Sequence, residues 1–195
     1  LLLLISEPIF AGEEKFKLDD GILIYNSNLA SNTQEKHITL EDFEIFSEFI
    51  KEERINRVRL TSIGGEHTSS ILISDIISSQ NLITEALGNC ASACTRIFLA
   101  GKKRELRDDA KLGFHSHSFD INAFDTQEDF TEQHFPELDF ENSIAYVERL
   151  MAVNDITFYL KQGVSLFFAL KVLTIHPKKM WHPSREELEE HGVLN

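Results

Sequence analysis

The 195 residues make about one ordinary domain, and 42% of them are hydrophobic, enough for a sizeable single core. The formal net charge is −13, from 32 acidic residues against 19 basic ones. A surface of that sign repels phosphate backbones and anionic lipid head groups, so nucleic acid and acidic membranes are excluded as expected partners.

At the start, Leu1-Leu2-Leu3-Leu4-Ile5 is an apolar run followed by a proline and then a small residue, Ala11. It is far shorter than the roughly 20 apolar residues a bilayer span needs. It reads as the tail of a secretory signal over residues 1–11, with an ordinary hydrophobic first strand as the alternative. Nine glycines, four prolines and no Pro-rich or Ser/Gly-rich linker then predict a single domain over residues 12–195.

The run Gly21 to Tyr25 predicts a strand. Thr39 is placed as a helix N-cap with Asp42 as its first-turn partner, and Leu40, Phe43, Phe46, Phe49 and Ile50 keep helical spacing behind it. Val58 to Thr61 predicts a second strand running into Ser62-Ile63-Gly64-Gly65, and Ser69 to Ser79 a second helix. Leu82 to Leu87 predicts a third strand ending at Gly88, Ala91 to Leu99 a short helix, Lys102-Lys103-Arg104 a turn, and Lys111 to His115 a further strand. Strands alternating with helices in this way argue for βα units and a largely parallel sheet. Beyond Asp120, the segment Ile121 to Asp139 reads as an acidic loop or lid. Helices are expected over Glu141 to Val153, over Thr157 to Ile175 (one or two), and after Pro183-Ser184, the last closed by Gly192.

Three pieces of this order carry chemistry. Gly64-Gly65 follows a strand directly, where glycines free the backbone to present N–H groups to a bound oxygen. Ser92 sits at the first turn of a helix with small neighbours, as a helix cap or as a nucleophile favoured by the helix dipole. His115 ends an apolar strand 23 residues later, within reach of a nucleophile on an adjacent strand end. His117 suggests a metal pair with His115, but no third ligand stands at a convincing spacing. Cys90 and Cys94 are the two cysteines. On a helix an i,i+4 pair has Cα atoms about 6 Å apart, within bridging range if the protein is exported. Small buried thiols in a tight turn are the default reading, and two cysteines without a further Cys/His cluster predict no zinc site.

The sequence Ser62-Ile63-Gly64-Gly65, then Gly88-Asn89-Cys90-Ala91-Ser92, then Ala110-Lys111-Leu112-Gly113-Phe114-His115 resembles the proteolytic subunit of the Clp protease. In that family a Gly-Gly supplies oxyanion-hole backbone, a Gly-x-Ala-Ala-Ser turn holds the nucleophile, and an Ala-Arg-x-x-x-His strand holds the base. Cys90 to Gly101 and Gly113 to His115 are similar also to a group of exported bacterial Clp-protease-like proteins. The resemblance implies an α/β fold of the Clp-protease/crotonase type, a spiral of ββα units with C-terminal helices. It implies a serine hydrolase, in particular a peptidase, with Ser92 as nucleophile, His115 as base and the N–H groups at Gly64, Gly65 and Ala93 forming the oxyanion hole. It further implies no cofactor, a peptide or protein substrate, a homo-oligomer, and a periplasmic location, with the cytoplasm as alternative. Ile63 replaces a usual proline, and the Ser92–His115 segment is two residues short. The family's orienting Asp would fall near His176, where none stands, leaving Asp155 and Asp120 as candidates by chemistry. Two other readings stay open: a catalytically silent scaffold, and a crotonase-like enzyme on acyl-thioesters. The latter needs a phosphate-binding basic cluster, for which Lys102, Lys103, Arg104 and Arg107 are the one candidate, otherwise a solvated turn.

Overall fold

The computed structural model describes residues 13–33, 36–117 and 137–195. The residues read as a signal, the lid-like segment as far as residue 136 and Asp120 lie outside the described residues. In chain order the elements are β1 (Phe16–Asp19), β2 (Ile22–Asn26), α1 (Leu40–Glu52), β3 (Arg57–Ser62), α2 (His67–Ser79), β4 (Ile83–Ala91), α3 (Ala93–Leu99), β5 (Lys103–Leu106), β6 (Lys111–Gly113), α4 (Phe140–Lys161), α5 (Leu166–Thr174) and α6 (Arg185–Glu190). They fall into two compact units. One comprises the chain to Phe114 together with His182–Asn195, and the other is His115–Trp181.

The first unit is built on one sheet in the order β1-β2-β3-β4-β5, with β6 also paired to β4. β1 and β2 form an antiparallel hairpin around Asp20-Gly21, both at positive φ (44° and 76°) as a two-residue primed turn requires. The sequence reading missed β1, whose Phe-Lys-Leu-Asp alternation is too short to stand out. From β2 to β5 every pairing is parallel, as the alternation of strands and helices predicts. Buried Leu23, Val58, Leu60 and Ala86 line its strands, and Phe46, Ile73, Ile77 and Phe98 come from the helices. Thr39 and Asp42 form the expected capping box at the start of α1.

β4 is the strand that positions the site. It does not stop at Gly88 but runs to Ala91, because it serves two partners in turn. Residues 83–86 pair with β5, and residues 89–91 pair with β6. Gly88 lies between the two stretches, where an added Cβ would meet the Thr61 side chain at 3.1 Å. A second correction concerns Lys102-Lys103-Arg104, which is not a solvated turn: Lys103 and Arg104 open β5. Arg104 is buried, with its guanidinium donating to the Leu99 and Gly192 carbonyls, and burial lowers its pKa below the usual arginine value.

The second unit carries α4 and α5. α4 is one continuous helix of 22 residues, capped by the Asp139 side chain, where the sequence suggested a break after Val153. Asn154 and Asp155, between the two expected helices, sit inside it, with Asp155 buried and paired with His117. Gly163, at φ 77°, turns the chain into α5, capped by Ser165. Phe168 is buried against Trp181, whose ring lies 3.9 Å from the Lys171 ammonium. Tyr146, Leu150, Val153 and Leu160 on α4, with Leu166, Phe167 and Leu170 on α5, remain exposed. Among the described residues no helix is long and apolar enough to cross a membrane.

Candidate active site

Ser92 joins β4 to α3 with φ 55° and ψ −128°, a conformation that non-glycine residues rarely hold and that costs about 1–3 kcal/mol. It occupies the N-cap position of α3, yet its side chain makes no capping hydrogen bond. The reading of Ser92 as a mere helix cap is therefore corrected. The turn is held from several sides. The Ser92 N–H donates to the Gly113 carbonyl at 2.8 Å, and the Thr95 hydroxyl and N–H both donate to the Ser92 carbonyl, at 2.7 and 2.9 Å. The result is a sharp strand-to-helix elbow that leaves the hydroxyl unspent and half-buried.

Cys90 and Cys94 are joined by a disulfide that spans this elbow, with Cα atoms 5.3 Å apart and both residues fully buried. Free packing thiols, the default expectation, are overturned, and so is the helical i,i+4 geometry. Cys90 is the penultimate residue of β4 and Cys94 lies in a helix, so the bridge ties two elements together across Ser92.

Gly64 and Gly65 approach the same elbow. Gly64, at φ 102°, lies so close that an added Cβ would stand 2.7 Å from the Ser92 Cβ and 3.1 Å from the Ala93 nitrogen. A Cβ on Gly65 would meet the Ile38 backbone at 2.3 Å. Ile38 clamps this segment by donating to the Gly64 carbonyl (2.8 Å) and accepting from the Glu66 N–H (2.9 Å). Ile38 thus bridges Gly65 through its two neighbours and does not use the Gly65 N–H. The Gly64 N–H is engaged by the Ser62 hydroxyl at 3.2 Å, which removes it as an oxyanion donor. Ala93 is the first residue of α3, where an N–H has no intrahelical acceptor. Of the three expected donors, Gly65 and Ala93 keep that capacity.

His115 and Asp155 lie in the second unit. The His115 Nδ1–H donates to the Ser116 carbonyl at 2.7 Å; since a carbonyl can only accept, this fixes the neutral tautomer with Nε2 as the basic nitrogen. Asp155 faces His117, and the two form a close pair at a cavity of about 330 Å³ that Ser116 also lines. The carboxylate suggested by chemistry as third member is thus spent on a different imidazole. At the position where the family's Asp would fall, His176 accepts the Lys178 N–H at 3.1 Å.

No protein-family model matches the chain, and no curated protein does. Among solved structures, a point mutant of ClpP1 from Listeria monocytogenes is similar with a TM-score of 0.59 and 18% sequence identity, covering 82% of this chain and 85% of that one. The fold is Clp-protease-like. On this Clp-protease-like fold the elbow, the glycine pair and the short β6 strand were legible as motifs. The Ser116 carbonyl, the Gly113 carbonyl and the Ile38 clamp were not, because backbone groups leave no side-chain signal in a sequence.

Proposed function

We propose that this protein is a serine hydrolase that cleaves peptide bonds through an acyl-enzyme. The Ser92 oxygen attacks the scissile carbonyl carbon while His115 Nε2 takes its proton. The oxyanion formed is bound by the N–H groups of Gly65 and Ala93. When the intermediate collapses, His115 returns the proton to the leaving amine, and water then hydrolyses the ester by the same two steps. The observation that carries this reading is the strained, uncapped conformation of Ser92, a strain that surrounding structure sustains typically where function uses it. Gly113, which accepts the Ser92 N–H, precedes His115 by two residues, which supports the pairing of the two. A carbonyl orients the imidazole but carries no charge to stabilise the imidazolium. Replacing the orienting Asp of a well-studied protease lowers the rate about 10⁴-fold, so slow turnover is expected here.

The disulfide supports an oxidising compartment, for which we propose the bacterial periplasm. The exposed apolar residues of α4 and α5 support a homo-oligomer. Purified wild type is expected to hydrolyse an activated ester and unstructured peptides, and Ser92→Ala and His115→Ala to lower kcat about 10³-fold or more. Wild-type turnover in Ser92→Ala, measured on protein whose circular dichroism is unchanged, contradicts the assignment.

A further inference from the structure

The disulfide spans only the three residues Ala91, Ser92 and Ala93, and Ser92 is the residue among them held at positive φ. The cross-link joins the end of β4 to the first turn of α3, the two elements whose relative placement sets the Ser92 dihedrals. The Ser92 N–H bond to Gly113 and the Thr95 bonds to the Ser92 carbonyl hold the backbone on either side of the elbow. None of them is covalent. We propose that the Cys90–Cys94 bond arms the site: oxidised, it holds Ser92 in the reactive elbow, and reduced, it lets the serine relax to an ordinary conformation in which the hydrolase is silent. The inference rests on the hydrolase reading of Ser92.

The chemistry is thiol–disulfide exchange with an external disulfide, either a protein's or a small molecule's of the glutathione type. One cysteine thiolate attacks that disulfide, forming a mixed disulfide and releasing one thiolate. The second cysteine thiolate then attacks the protein sulfur of the mixed disulfide and releases the other. Two electrons pass to the oxidant, two cysteine protons leave, and one S–S bond replaces another. Both cysteines are fully buried in the folded protein, so the exchange belongs to folding or to a local opening of α3 rather than to a rapid surface equilibrium. The enzyme would then be made silent in a reducing compartment and armed once it meets an oxidising one.

The test compares the rate constant of labelling by a fluorophosphonate probe in three samples: oxidised wild type, wild type reduced with a phosphine, and the Cys90→Ala/Cys94→Ala double variant. All are assayed at a temperature where circular dichroism shows each one folded. Loss of the strained elbow predicts labelling about 10- to 100-fold slower in the last two, with an unchanged pH midpoint. Reoxidation by glutathione disulfide restores the reduced wild type and leaves the double variant slow. Equal rates in all three samples overturn the proposal. So does a reduced or double-variant protein that is unfolded at every temperature, which makes the bond a staple of the fold. No labelling of the oxidised wild type overturns the hydrolase reading itself, a result that slow labelling after reduction cannot mimic.

Discussion

Gly64→Ala is expected to lower hydrolysis about 10²- to 10³-fold while leaving the protein folded, as loss of an oxyanion donor does in other hydrolases. Two physical causes act together. At φ 102° an alanine is strained, which costs about 1–3 kcal/mol. Its Cβ would also stand 2.7 Å from the Ser92 Cβ and 2.8 Å from the Ala91 carbonyl oxygen, nearer than non-bonded atoms approach. Either the serine elbow or the glycine segment must shift, and either shift separates the nucleophile from the Gly65 N–H. Gly163→Ala is the control. Gly163 has a comparable φ of 77°, but an added Cβ there meets nothing within 4 Å. It should lose similar stability, read by urea denaturation, and keep full turnover. If Gly64→Ala retains wild-type turnover, the glycine pair has no part in the site.

The second large effect is on stability. Asp42→Ala should lower the free energy of unfolding by about 3–5 kcal/mol, the range observed when one member of a buried ion pair is removed. Asp42 is fully buried, with the Lys15 ammonium 2.6 Å from Oδ1 and Lys15 only 2% exposed. Its Oδ2 accepts from the Tyr25 hydroxyl at 2.9 Å and from the Thr39 N–H at 3.0 Å. Burial, and then the Asp42 charge, push the Tyr25 phenol far above its ordinary pKa, so it stays a neutral donor. Alanine would remove the Asp42 carboxylate from a buried ammonium and a buried hydroxyl. The Lys15→Met/Asp42→Leu double variant removes both charges and should be markedly less destabilised than Asp42→Ala alone. Urea midpoints of the wild type and these two variants check the claim, and a cost below about 1 kcal/mol for Asp42→Ala contradicts it.

Residue spacing alone carried most of the sheet. The apolar runs of β2, β3 and β6 and the capping box of α1 are local features, set by alternation and by Thr39 with Asp42. The same Asp42 shows where local reading stops. Its partners Lys15 and Tyr25 come from a distant part of the chain, and nothing in the neighbourhood of Lys15 marks it as buried. β4 was cut short at Gly88 because a glycine reads as an end, whereas here it separates pairing with β5 from pairing with β6. The 22-residue α4 spans the gap between the helices expected over Glu141 to Val153 and from Thr157, and the carboxylate in that gap, Asp155, is buried against His117, a partner that no local pattern shows. At the site, the order of glycine pair, serine and histidine pointed to the elbow. The disulfide across it was only one of two options, because whether two nearby cysteines are joined depends on the redox compartment, which their spacing does not encode.

The most direct test of the central claim is fluorophosphonate labelling of the oxidised wild-type protein, followed by mass spectrometry of its peptides. A single adduct on Ser92, absent from Ser92→Ala and strongly slowed in His115→Ala, is the result the account predicts. Folded protein that takes no label, or takes it at another serine, would contradict an activated nucleophile at the elbow.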